Sequence, residues 1–376
     1  MRLRAHWAAV AALVLAASTP LLADDSPPRA RDYAIAARYA PDFHQVVDLE
    51  KPRLDYITRF DFDGNWRADD NWENATDPDH RLPAYVYYAV SYTRTHFFLH
   101  YVYFHPRDWK GNWLSNGALQ TLKLVGRPLV FPRYLGIDAL SLAHENDLEG
   151  VLVVVERRSP ASFDGRVVLV ESFSHHRFRT YLAEGAEESF EVKPRGLRAR
   201  DGRPVLFIEA KGHGVRHRLK PKRNQTVVEY RFGGRAEEPD LDAPGPAGYE
   251  LLSLYDTLWQ HALDDSRSNR AFSKFRLYDQ AELSDFFGDE PPRVGTALNG
   301  RKRGRNRAAP PWAWKNNGLK GQWFFDPARN VAERHRPAGD FDTRYLFNRF
   351  LTGEAAASEP STPSGSGAGG ASSRSH

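Results

Sequence analysis

The chain has 376 residues, 41% of them hydrophobic and 27% charged, which fits a folded globular protein and excludes a disordered or fibrous one. Its formal net charge of +4 is too small to argue for a nucleic-acid partner, and this class is not expected. The absence of cysteine excludes a disulfide framework, a thiolate nucleophile and a thiolate zinc site.

Residues 1–23 read as a secretory signal peptide. Arg2 and Arg4 give a positive start, Trp7 to Ala17 an apolar core too short to span a bilayer, and Leu21-Leu22-Ala23 a cleavage site. The mature protein is expected to be secreted or periplasmic, and a monomer. Asp32 to Tyr39 predicts a short helix stopped by Pro41. Arg59 to Asp77 is an acidic, aromatic, turn-rich loop. Within it, Asp61, Asp63 and Asn65 imitate the opening of a calcium loop. Trp66 and Trp72, however, stand where an EF-hand needs Gly and Glu. An Asp-Gly turn is the better reading, and accessory cation binding at Asp61 and Asp63 the lesser one.

Ala84 to Tyr92 and Thr95 to Phe104 predict a β-hairpin, with Pro106 closing the second strand. Further strands are expected over 150–155, 166–173, 203–210 and 226–232. Short strands in series predict a mainly β fold, an antiparallel β-sandwich with peripheral helices. Val151 to Val155 is apolar throughout, as in a central strand covered on both faces. Tyr249 to Leu263 and Thr343 to Leu351 carry helical spacing. The expected organisation is a sandwich domain over 24–264, a helical or irregular C-terminal extension over 265–352 packed on it, and a disordered tail over 353–376.

The chemistry concentrates at the mouth of one strand. Alternation puts Asp147 and Glu149 on one face, and His144 lies just before them. Two carboxylates held together raise each other's pKa or need a cation. Oxygen-rich, thiol-free donors favour Mg²⁺ or Ca²⁺, and a histidine ligand keeps Mn²⁺ and Zn²⁺ open. The plainer reading is a solvated strand entrance paired with an arginine. Asp108 and His213 follow two other predicted strands, so strand ends that converge would complete a metal site of Asp108, His144, Asp147, Glu149 and His213.

The segments Y-V-Y-F-H-P-R-D-W, H-E-N-D-L-E-G and E-A-K-G-H-G, in this order, resemble those of the necrosis- and ethylene-inducing peptide-like proteins, secreted cytolysins of plant-associated microbes. The pattern is closer to a vacuolar-sorting-type bacterial branch, which shares Pro310 to Trp314 and the segment Trp323 to Ala328. The resemblance covers roughly residues 60–263. It implies a β-sandwich whose acidic surface cavity holds a divalent cation and binds lipid or glycan headgroups, with peripheral membrane contact and cytolytic activity. Carried over by motif, Asp108, His144, Asp147, Glu149 and His213 are the cation ligands, and His175 is an accessory residue. The family's tryptophan is Leu148 here, its second histidine is Asn146, and its disulfide has no counterpart.

Two basic runs remain, Arg216 to Arg223 and Arg301 to Arg307. Solvated loop charge is the simpler reading, and anionic-headgroup contact by Arg216, Arg218 and Lys220 the functional one. No Gly-rich phosphate loop, Gly-x-Ser-x-Gly elbow or His-Glu-x-x-His helix is present. Three functions follow in order: a secreted cation-dependent binder of lipid or glycan headgroups, a metal-dependent hydrolase of exported phosphodiesters, lipids or polysaccharides, and an exported structural protein with a stabilising ion. No catalytic residue is assigned, although His175 or His213 could act as general base in the second.

Overall fold

The computed structural model describes residues 28–109, 143–174, 177–191, 196–243, 245–263, 271–277, 293–300, 308–314 and 322–352. The expected signal peptide, His175, the run 301–307 and the tail lie outside the described residues. The strands are β1 (Asp42–Asp48), β2 (Ala84–Thr93), β3 (His96–Asp108), β4 (His144–Arg157), β5 (Gly165–Ser174), β6 (Arg177–Leu182) and β7 (Arg198–Arg200). They continue as β8 (Arg203–Ile208), β9 (Val215–Arg216), β10 (Gln225–Phe232), β11 (Ala247–Ser253), β12 (Phe272–Leu277), β13 (Arg293–Leu298) and β14 (Tyr345–Asn348).

Twelve strands form one sheet in the order β6-β5-β4-β3-β2-β11-β10-β1-β8-β7, with β14 on β2 and β9 on β8. β12 and β13 pair separately. The sheet is mixed, which corrects the antiparallel expectation: β1–β8, β10–β11 and β11–β2 run parallel. A parallel neighbour needs a connection that returns the chain to its starting end, and the long segment 233–246 between β10 and β11 does so.

β4 lies between β3 and β5 and is buried along nearly its whole length, as its valine run predicts. Val151 and Val153 join one apolar cluster with Tyr101, Tyr103, Phe43, Leu206 and Tyr249. Leu152 and Val154 join a second with Phe98, Val102, Trp312, Trp314 and Trp323. The C-terminal residues thus pack on the second face of β3 and β4. Gly150 permits this approach, because a Cβ there would lie 2.7 Å from the Tyr101 carbonyl oxygen and 3.2 Å from the Trp314 ring. The buried indoles are satisfied: Trp312 donates to Gly295 O at 2.7 Å and Trp323 to Glu171 Oε2 at 2.9 Å.

Four local expectations need correction. β3 does not stop at Pro106 but continues to Asp108. Proline lacks the ladder donor, and the residue across from it, Asn146, sits at φ 60, so that rung is skipped without shifting the register. Residues 247–253 are strand, not helix. Ala247, Tyr249 and Leu251 are buried at period two, and only then do a π-helical turn (Tyr255–Trp259) and a short α-helix (Gln260–Leu263) follow. The helical spacing of Leu252, Tyr255 and Trp259 is local, and the docking of β11 between β2 and β10 overrides it. Residues 345–348 likewise form β14 before the four-residue helix Arg349–Thr352. Near the N-terminus a helix spans Pro28–Tyr39, four residues earlier than expected. No helix among the described residues is long and apolar enough to cross a membrane.

Candidate functional site

β3 and β4 are antiparallel, with Asp108 opposite His144, His105 opposite Asp147 and Tyr103 opposite Glu149. The register places the end of one strand against the head of the other. His144 is therefore the first residue of β4, where the sequence put it ahead of the strand. Asp147 and Glu149 fall on one face, as alternation requires. Asp108, His144, Asp147 and Glu149 are all buried. His144 Nε2 lies 3.6 Å from Asp108 Oδ2, and its Nδ1 lies 2.9 Å from Glu145 O.

Asn146 breaks the alternation just before Asp147. Its carboxamide is used at both ends: Nδ2 donates to Ala68 O at 2.7 Å and Asn299 O at 2.5 Å, and Oδ1 accepts from Asn71 Nδ2 at 2.7 Å. Asparagine tolerates the left-handed conformation better than most residues, and these bonds offset its cost of about 1–2 kcal/mol.

His213 arrives from a separate segment. The loop after β8 is held by Glu209 N donating to Gly214 O at 3.0 Å, with Lys211 at φ 69 and His213 at φ 51. Two left-handed non-glycine residues mark a conformation that the surroundings impose. His213 Nδ1 donates to Asp147 Oδ2 at 2.9 Å, and its Nε2 lies 3.3 Å from Asp55 Oδ1. Asp55 is fixed in turn, accepting from Asp48 N at 2.8 Å and Lys211 N at 2.6 Å. The His105 ring stacks on His213 with centroids 3.6 Å apart, and its Nε2 lies 3.2 Å from Gln45 Oε1.

These contacts set the charges. Burial pushes the His213 pKa down, but the carboxylates of Asp147 and Asp55 outweigh it and raise it to about 10. Burial pushes Asp147 up, yet the His213 bond and nearby His144 hold it well below the usual carboxylate range. Burial, with the His213 charge beside it, drives His105 well below the ordinary histidine value. The result is a neutral His105 stacked on a His213 imidazolium that is clasped between two carboxylates.

The structure thus brings Asp108 to His144 and His213 to Asp147, with Glu149 two residues along the same strand face. Asp55, His105 and Gln45 also belong to the cluster, and sequence reasoning missed them. His105 was within reach, since it continues the period-two row of Tyr101 and Tyr103. Asp55 and Gln45 carry no local signal. Asp61 and Asp63 do not join the cluster. Arg59 closes Asp61 with two bonds of 2.7 Å, and Asp63 accepts from Asn65 N at 2.9 Å and Asn74 Nδ2 at 2.8 Å. The turn there has Gly64 at φ 79, the Asp-Gly turn expected of it. Arg216 is bound to Glu209, whereas Arg218 and Lys220 are exposed.

The donor set is mainly oxygen, which suits a hard cation. As arranged, however, His213 directs both nitrogens at carboxylates and acts as a donor, so it supports Asp147 from behind. Asp108, His144, Asp147 and Glu149 remain as the residues whose chemistry fits an ion. Among the described residues, no group of three or more His, Cys, Asp or Glu is already arranged to hold a metal.

No family model matches the chain, and a search of curated proteins returns no similar sequence. Solved structures that the chain partly matches include NLPPya in complex with glucosamine, at 13% identity and a TM-score of 0.25 over 51% of this chain and 69% of that one. Another is necrosis and ethylene inducing protein 2 from the causal agent of cocoa's witches' broom disease, at 13% identity and a TM-score of 0.25 over 57% and 72%. A third, described as a toxin fold for microbial attack and plant defense, is 12% identical with a TM-score of 0.25 over 58% and 72%. At this overlap the likeness says nothing about individual residues.

Proposed function

We propose that the end of β3–β4 binds a divalent cation and, through it, the hydroxyl or phosphate oxygens of a lipid or glycan headgroup. The observation that carries this reading is the convergence of Asp108, His144 and Asp147 on adjacent strand ends, with Glu149 on the same face. Asp108, Asp147 and Glu149 would supply hard oxygen donors and His144 one nitrogen. Asp55 and His213 would fix the Asp147 carboxylate, as partners behind a ligand commonly do. Mg²⁺ or Ca²⁺ suits these donors best, with Mn²⁺ and Zn²⁺ as alternatives. A bound ion supplies positive charge and open positions for ligand oxygens. The protein's part is to place the acids and exclude the wrong geometry. Secretion, the bacterial branch and cytolytic action belong to this same proposal.

Calorimetric titration of chelator-treated protein with each ion, beside a double variant Asp147→Asn/Glu149→Gln, tests it. Saturable heat in the wild type that the variant lacks supports the proposal. A glycan and lipid screen with and without the ion then tests the headgroup. A folded wild type that takes up no ion removes the reading.

One observation favours a structural role for part of the cluster. His213 ties β4, the turn holding Asp55 and the loop 209–214 together in a chain without disulfides. A His213 variant that melts earlier but binds ion and headgroup normally would assign the histidine to that role alone.

A further inference from the structure

The loop between β9 and β10 lies beside the acidic cluster and carries a different kind of charge. It leaves β9 next to Phe207 and Ile208 and returns at Gln225, opposite Asp48, so it crosses the ends of β8 and β1. Arg218, Lys220, Lys222 and Arg223 are exposed along it and have no ion pair among the described residues. At this end of the sheet Lys211 pairs with Asp48 at 2.8 Å and Arg216 with Glu209, and Lys51 lies over the Trp109 ring.

The loop is joined to an exposed apolar residue. Leu49 N donates to Asn224 O at 3.0 Å, and the Leu49 side chain is 51% exposed. Asn224 Nδ2 donates to Asp48 Oδ2 at 3.1 Å, and Asp48 N to Asp55 Oδ2 at 2.8 Å. Successive bonds therefore run from Leu49 to the Asp55–His213 pair. The exposed acid nearest in sequence is Glu50, one charge against the four of the loop.

We infer that the loop 217–224 and Leu49 form a docking surface for an anionic lipid bilayer, which they hold against the end of the sheet where the acidic cluster lies. Unpaired cations in a short flexible-headed row suit a diffuse negative surface, each contributing through attraction to anionic headgroups. An exposed leucine among them suits the boundary between headgroup and acyl chain. The orientation of the cluster toward headgroups rests on the proposed function, but the attraction itself needs no metal.

Co-sedimentation of the full chain with vesicles in EDTA at low salt separates the two. Phosphatidylcholine vesicles are compared with phosphatidylcholine–phosphatidylglycerol vesicles. The expected result is saturable binding to the second kind alone, weakened by added salt. Replacement of Lys220, Lys222 and Arg223 by glutamine is expected to lower that affinity on the order of 100-fold. Leu49→Ser is expected to lower it about ten-fold, with melting and calorimetric ion uptake unchanged in both variants. The inference is overturned by equal binding to both vesicles, by no binding of the folded wild type, or by full binding of the triple variant. Binding to heparin without binding to vesicles also overturns it, and assigns the surface to an acidic polysaccharide. Loss of ion uptake with vesicle binding intact would remove the proposed function and leave the docking surface.

Discussion

Two buried carboxylates, Glu171 and Asp147, lie in adjacent strands and are treated differently. Glu171 on β5 receives Trp323 Nε1 at 2.9 Å and Thr180 Oγ1 at 3.3 Å, with His335 Nε2 at 2.9 Å and Arg334 Nη1 at 3.0 Å. Three of those partners come from the C-terminal segment, so the acid works as a rivet between that segment and the sheet. His100 adds to it, with its Nε2 3.1 Å from Trp323 O and its pKa lowered to about 3 by burial. Asp147 on β4 instead accepts from one side chain, His213, and stands two residues from another acid. Its surroundings include two left-handed residues, His213 and Asn146, and a stacked histidine pair. A closed ring of donors speaks for stability. Acids gathered under a strained backbone speak for a task that stability alone does not require.

The largest effect is expected from opening the rivet. Glu171→Leu leaves the buried His335 and Trp323 indole and the partly buried Arg334 without their acceptor, a loss of about 3–5 kcal/mol in urea unfolding. Ion uptake at the β3–β4 end should persist in whatever protein remains folded.

A smaller loss, about 2–4 kcal/mol, is expected for His213→Leu, which strands Asp147 and Asp55. Here pH separates the two regions. His213 has a folded pKa of about 10, above its ordinary 6.5, so its contribution is complete below pH 6.5 and disappears as pH rises through 10. Asp147 is shifted down, so its contribution is present above the ordinary carboxylate pKa of 3.8 and declines below it. Stability of the wild type should therefore fall on the alkaline side, measured by unfolding across pH, and His213→Leu should flatten that fall. A wild-type profile with no alkaline decline would contradict the clasped imidazolium.

Asn146→Ala removes three hydrogen bonds and keeps an unfavourable φ, for an expected cost of about 2–3 kcal/mol. Asn146→Gly relieves the backbone and should cost less than alanine does. If the two cost the same, the backbone conformation at 146 matters little. The smallest effect belongs to Asp61→Asn. It breaks a partly exposed pair with Arg59, worth about 0–1 kcal/mol, and should leave ion uptake unchanged.

What the sequence disclosed follows from the range of the interactions involved. The valine run of β4, the hairpin of β2 and β3 and the alternation of Asp147 and Glu149 are local patterns, and the structure keeps them. The parallel neighbours of β11 were hidden, because Leu252, Tyr255 and Trp259 fit a helix equally well until β2 and β10 flank the strand. The site was half legible. Strand ends predicted the meeting of Asp108 with His144 and of His213 with Asp147. Asp55 could not be foreseen, since it reaches His213 only through the turn after β1. Nor could the role of Asn146, whose partners Ala68, Asn71 and Asn299 come from two distant segments.

Cation binding at the β3–β4 end is tested most directly by calorimetric titration of Ca²⁺ and Mg²⁺ into the chelator-treated wild type and into Asp147→Asn/Glu149→Gln, at a pH where both are folded. Saturable uptake of about one ion is expected in the wild type and none in the variant. Equal heats in the two proteins, or none in a folded wild type, would contradict it.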